Sequence, residues 1–108
     1  MSCEPVFPPV PYAIRGINHK KVQEAAEAAI KWKNEREKRC LVYKRVINGL
    51  SDSKCNHEDS QHYALVIEAI NDDGIPWSYI AKVKHFGGNG KEPHVFSVED
   101  VLKNYKKH

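Results

Sequence analysis

An α+β fold, an antiparallel sheet wrapped around one long N-terminal helix, is the architecture that this 108-residue sequence predicts. Three observations carry that expectation. The stretch VQEAAEAAIKWKNE has a helical apolar period and comes early. Three runs rich in β-branched and aromatic residues follow it, LVYKRVINGL, HYALVIEAI and WSYIAKVKHF. With the helix first and antiparallel strands after it, the apolar stripe of one and the apolar face of the other can be buried only against each other. A chain of this length holds one core. The expected organisation is a proline-rich arm over residues 1–16 and a single domain over 17–108.

The arm, MSCEPVFPPVPYAIRG, carries four prolines and no basic leader, so it does not read as a secretory signal. Pro8-Pro9-Val10-Pro11 favours an extended path. Val6, Phe7, Val10, Tyr12 and Ile14 give the arm enough apolar surface to lie on its own domain as an edge segment. In the helix, Asn18 is placed to cap and Ile17 to staple against Val22. Stepping 100° per residue, Val22, Ala25, Ala26, Ala29, Ile30 and Trp32 fall within an arc of about 160°. The small alanines let a helix sit close to a sheet. Past Trp32 the stripe thins, so KNEREKR is expected to project beyond the core.

Leu41–Leu50 reads as a strand whose two faces are both partly apolar. In Tyr63–Ile70 one face is wholly apolar: Tyr63, Leu65, Ile67 and Ala69. In Trp77–Phe86 the apolar side is Trp77, Tyr79, Ala81 and Val83. Asp73-Gly74 invites a two-residue hairpin turn, yet that turn would set the apolar side of one strand against the lysines of the next. Register follows the buried face. The expectation is therefore a loop of three or five residues, with Leu65 opposite Val83 or Ala81. Near the C-terminus, Ser97-Val98-Glu99-Asp100 resembles a capping box, and Val98, Val101, Leu102 and Tyr105 recur at helical spacing. A short terminal helix over Ser97–Tyr105 is favoured.

Composition narrows the function classes. With 41% apolar and 29% charged residues the chain is not of disordered type. A net charge of +3 is too small and too mixed in sign to imply nucleic acid. Lys20, Lys21, Lys31, Lys33, Arg36, Lys38 and Arg39 are interleaved with Glu24, Glu27, Glu35 and Glu37, which suits a solvated helix face. No apolar run is long enough to span a bilayer. With Met1 as the start, the expected compartment is the cytoplasm. Cys40 and Cys55 lie at either end of one strand. Ten extended residues cover about 33 Å, against the roughly 4.4–6.8 Å between the Cα atoms of a disulfide. Free thiols are expected.

CNHEDSQH, Cys55–His62, is the densest polar stretch. Cys55, His57 and His62, with Glu58 or Asp59, have the donor types for four zinc ligands. Cys-x-His is not a common ligand spacing, and no second pair stands at a matching interval. A Cys–His nucleophile has no identifiable third orienting group. The segment reads as an exposed hairpin loop, with no metal, no cofactor and no catalytic residue expected. His19, His85, His94 and His108 read as surface histidines. Gly87-Gly88-Asn89-Gly90 lacks the context of a phosphate-binding loop.

VQEAAEAAIKWKNE, HYALVIEA with the turn after it, and SYIAKVKHF together resemble the helix, third strand and fourth strand of the cystatin-like family. The likeness is closest to the disulfide-free plant cystatins and covers about two-thirds of the chain. It implies a non-enzymatic wedge that blocks papain-type cysteine proteases. Family members use an arm glycine, a first loop bearing Gln-x-Val-x-Gly and a second loop bearing Pro-Trp. Those positions correspond here to Gly16, to Asn56-His57-Glu58-Asp59-Ser60 and to Gly87-Gly88, and neither loop motif is present. The resemblance thus points to another protein as partner, with inhibition degenerate, or to a protein- or small-ligand-binding module on the same scaffold.

Overall fold

The computed structural model describes residues 7–53, 61–86 and 92–101. Five strands, β1 (Tyr12–Ala13), β2 (Val42–Ser51), β3 (Gln61–Ile70), β4 (Pro76–His85) and β5 (His94–Asp100), form one sheet in that order. Every neighbouring pair is antiparallel. One helix, α1 (Lys20–Glu37), precedes β2 and packs on one face of the sheet. Its side of the core is Val22, Ala25, Ala26, Ala29 and Ile30. The sheet contributes Tyr63, Leu65, Ile67 and Ala69 of β3, Tyr79, Ala81 and Val83 of β4, and Val95 and Val98 of β5. The fold is α+β, a sheet around a helix, as the order of elements predicts.

The helix begins one residue later than its cap signal suggested. Ile17 and Asn18 form a turn closed by the His19 N–H donating to the Gly16 carbonyl (2.9 Å). That places His19, not Asn18, at the N-cap, where its Nδ1 accepts from the Lys21 N–H at 3.1 Å. At the other end Lys38 is left-handed (φ 55°) and ends the helix. Asn34 then ties the exit: its amide donates to the Leu41 carbonyl (2.9 Å) and accepts from the Leu41 N–H (2.8 Å).

Lys33 corrects the expectation that the last turns leave the core. It is 5% exposed, and its Nζ donates to the Val98 carbonyl (3.0 Å) and to Glu37 (3.1 Å). At 100° per residue it lies about 20° from Val22, mid-stripe, so the helical period carries it inward whatever its charge. A buried ammonium must be paired, and the carbonyl of β5 and the carboxylate one turn on supply the partners. Trp32 is only partly buried, at the margin of the core.

The β3–β4 connection has five residues, 71–75, and Leu65 lies opposite Ala81. Asn71 organises it: its Oδ1 accepts from the Asp73 and Ile75 N–H groups (2.8 and 3.0 Å). Gly74 supplies the one positive φ (79°) the turn requires. Burial of the apolar face thus overrides the Asp-Gly signal. At the same end Asp72 accepts from the Cys40 N–H (2.9 Å) and from Arg39 Nε (3.2 Å), tying the α1–β2 corner to the hairpin.

The Cys40 N–H, and then the Arg39 guanidinium against partial desolvation, hold the Asp72 carboxyl below its ordinary range. A carboxyl lowered on folding stabilises the fold above its unfolded pKa of about 3.9 and loses that contribution as pH falls through the folded value. Asp72→Asn is therefore expected to lower stability at neutral pH and to flatten the acid limb of the stability profile. Urea titrations across the acid range check this.

The segment from Ser97 is strand, not helix. β5 runs His94–Asp100, and Val101 continues the pairing, its N–H donating to the Ser78 carbonyl at 3.0 Å. By alternation Val98 and Val101, three residues apart, fall on opposite faces of the strand, so their helical spacing does not mark one buried stripe. A bulge precedes them: Ser97 opposes Lys82 and Val95 opposes Val83, leaving Phe96 as the extra residue, so Val95 and Val98 both face α1. The helical expectation for residues 102–105 lies outside the described residues.

Candidate functional site

One end of the sheet gathers the segments that the sequence singled out. Tyr12 of β1 pairs with Ser51, Ser51 with Tyr63, Gln61 with His85, and Lys84 with His94. The arm, the β2–β3 connection and the β4–β5 connection therefore all leave the sheet at this tip. The 71–75 hairpin and the α1–β2 corner are at the opposite end.

Asp52 builds the base of the β2–β3 connection. Its Oδ1 accepts from the His62 N–H (3.0 Å), its Oδ2 lies 2.9 Å from His62 Nδ1, and its N–H donates to the His62 carbonyl (3.2 Å). Beneath it the inward face is polar: Ser51 and Gln61 are buried, and the fully buried Tyr63 donates its hydroxyl to Gln61 Oε1 at 2.8 Å. Burial, with the Asp52 charge nearby, pushes the Tyr63 phenol up to about 12. A phenol raised on folding stabilises the fold below its unfolded pKa of about 10, and that stability is lost as pH rises towards the folded value. Ultraviolet titration should show Tyr63 ionising only as the fold fails, and Tyr63→Phe should be more alkali-resistant.

His85 is no surface histidine. It is 3% exposed on the helix side of β4, its Nε2 lying 2.8 Å from Glu24 Oε1. Alternation could have found it, since Tyr79, Ala81 and Val83 continue inward to His85 in steps of two. The pair fastens the first turns of α1 to the tip end of β4. His19 and His94 are exposed.

The arm behaves as an edge segment. Tyr12 and Ala13 pair with β2, the Ile14 N–H donates to the Gly49 carbonyl (3.0 Å), and Ile14 packs on the core. Gly49 is tightly enclosed, because a Cβ there would lie 2.8 Å from both Ile14 Cδ1 and Leu65 Cδ2. Upstream, Phe7 lies against the outer face of the sheet. Its ring centroid is 5.4 Å from His62 and 5.3 Å from Phe96, both edge-on. Sequence patterning marked Phe7 only as apolar arm surface and gave no sign of the cluster it joins.

Among the residues expected to bind a partner, Gly16 is described, and it sits in the turn entering α1, past β1. Asn56, His57, Glu58, Asp59, Ser60, Gly87 and Gly88 lie outside the described residues, as does Cys55. Of the zinc-ligand set only His62 is described, with one ring nitrogen engaged by Asp52. Among the described residues no three His, Cys, Asp or Glu side chains are grouped to hold a metal ion. Cys40 is a free, exposed thiol. Among the described residues no helix is long and apolar enough to cross a membrane. No protein-family model matches this chain, and no curated protein matches it.

Proposed function

We propose that this chain is a non-enzymatic protein of cystatin-like build, working in the cytoplasm, that binds another protein through the tip of its sheet. The partner class that the resemblance points to is a papain-type cysteine protease. What supports the reading is the convergence of the arm and two strand connections on one end of the sheet, a wedge held by backbone pairing on both sides. Strand ends already fixed by pairing can meet a cleft with little ordering cost of their own.

The tip chemistry sets limits on affinity. Glu58 and Asp59 stand where the family carries uncharged loop residues, and burying an unpaired carboxylate in a dry cleft costs several kcal/mol. Inhibition is accordingly expected to be weak, on the order of micromolar. The test is a titration of the full chain against papain with a fluorogenic substrate. Competitive inhibition strengthened by Glu58→Gln/Asp59→Asn supports the reading. No inhibition at tens of micromolar, on the same affinity scale, removes the protease version and leaves a binding module on this scaffold. The position of Phe7 favours that second reading, because the arm there lies on the outer face instead of extending past the tip.

A further inference from the structure

The outer face of the sheet carries, near its tip, an aromatic acceptor built from three strands. Phe96 is the bulge residue of β5, turned outward with no residue opposite it on β4. His62 of β3 is held in place by Asp52 at 2.9 Å. Lys82 of β4 puts its Nζ 5.7 Å from the centroid of the ring between them. That ring is Phe7, edge-on to His62 at 86° and to Phe96 at 75°. His94 lies edge-on to Phe96 at 4.7 Å.

The acceptor and its occupant differ in how they are held. His62 and Lys82 are fixed by strand pairing and Phe96 by its paired neighbours Val95 and Ser97, whereas Phe7 hangs upstream of a two-residue strand, beyond Pro8, Pro9 and Pro11. Edge-to-face ring contacts and a cation over a ring are favourable for any aromatic side chain, so nothing in the acceptor is peculiar to Phe7. Charge defines the flanks. Lys82 and Lys84 lie on this face and His94 is exposed beside them; Asp52 is engaged by His62, and Glu99 of β5, exposed on the same face, lies opposite Ile80, one outward step farther from the tip than Lys82.

We propose that His62, Phe96 and Lys82 form a binding site for an aromatic side chain carried on an acidic peptide segment, and that Phe7 fills this site in the free protein. The arm then acts as a tethered competitor whose high effective concentration sets a threshold for the incoming segment. The site shares His62 with the tip but is read by peptide binding in the Phe7→Ala background, so protease inhibition or its absence does not bear on it.

Fluorescence anisotropy with labelled Glu-Asp-Phe-Asp-Glu and its alanine counterpart tests the proposal on the full chain. Phe7→Ala is expected to bind the phenylalanine peptide roughly tenfold more tightly than the unaltered protein. The alanine peptide should bind much more weakly. Phe7→Ala/Phe96→Ala should lose the gain, and Lys82→Ala, a change at an exposed side chain, should weaken binding in the Phe7→Ala background. Thermal midpoints of all variants guard against loss of fold. Binding no tighter in Phe7→Ala than in the unaltered protein overturns the proposal. So does binding that survives loss of Phe96, or stronger binding of an oligothymidine probe than of the peptide.

Discussion

Leu65→Ala is expected to be the most damaging single truncation. Leu65 is 0% exposed at the middle of β3, the central strand, between Gly49 on β2 and Ala81 on β4. Its two cross-strand neighbours are among the smallest residues, so its side chain fills space that neither can reclaim. Gly49 shows how tight the fit is, since Leu65 Cδ2 would lie 2.8 Å from a Cβ built there. Truncating a buried leucine costs about 2–5 kcal/mol, more where the cavity cannot collapse. Strand backbones on both sides resist collapse, which puts this site in the upper half of that range. The melting temperature should drop by roughly 15–25 °C. Urea unfolding measures the change, and a loss under about 1 kcal/mol would mean that Leu65 is not packed as described.

Ala26→Leu tests the opposite error, too much volume. Ala25, Ala26 and Ala29 are all 0% exposed and share the core cluster with β3 and β4. A leucine at Ala26 adds three carbons where helix and sheet already touch. Overpacking of this kind costs about 1–3 kcal/mol, occasionally more. The neighbouring Glu27, exposed on the other side of α1, is the control. Glu27→Leu should change stability by no more than about 0.5 kcal/mol. Because β4 and β5 complete the same face, the overpacked variant should also loosen the Lys33–Val98 contact. That appears as faster amide exchange in β5, whereas equal stability of the two variants would remove the alanine seat from the account.

The regular parts of the fold were legible because period and burial agree there. In β3 the inward residues run strictly in twos, and β4 follows it through a hairpin whose odd loop length follows from that parity, which leaves three or five residues and which the fold resolves as five. Bulges hid the rest. In β2 two register shifts leave Tyr43, Val46, Gly49 and Ser51 inward at spacings of three, three and two, so neither face looks apolar throughout. The bulge at Phe96 does the same to β5, where Val95 and Val98 face inward three residues apart. Extra residues shift parity locally, and one sequence read for a single period cannot register them.

Charge hid a second group. Lys33 and His85 occupy inward positions that their periods mark plainly, yet their side chains suggest solvent. Each is admitted to the interior by a partner from across the fold, the Val98 carbonyl 65 residues from Lys33 and Glu24 61 residues from His85, with Glu37 also pairing Lys33. Such pairing is a property of the folded arrangement. The same holds for the outer-face cluster of acceptor and occupant, whose rings come from positions 7, 62 and 96. The convergence of arm and connections at the tip, by contrast, follows from antiparallel order once the strands are known.

The central proposal is that a papain-type protease docks at this tip. Its most direct test is a two-dimensional NMR titration of the labelled full chain with an active-site-blocked papain-type protease. The account predicts shifts confined to the tip: Tyr12, Ser51–Ser53, Gln61–His62, His85–Phe86 and His94, with Arg39 and Asn71–Ile75 unmoved. Shifts centred on the 71–75 hairpin, or none at saturating protease, would contradict it.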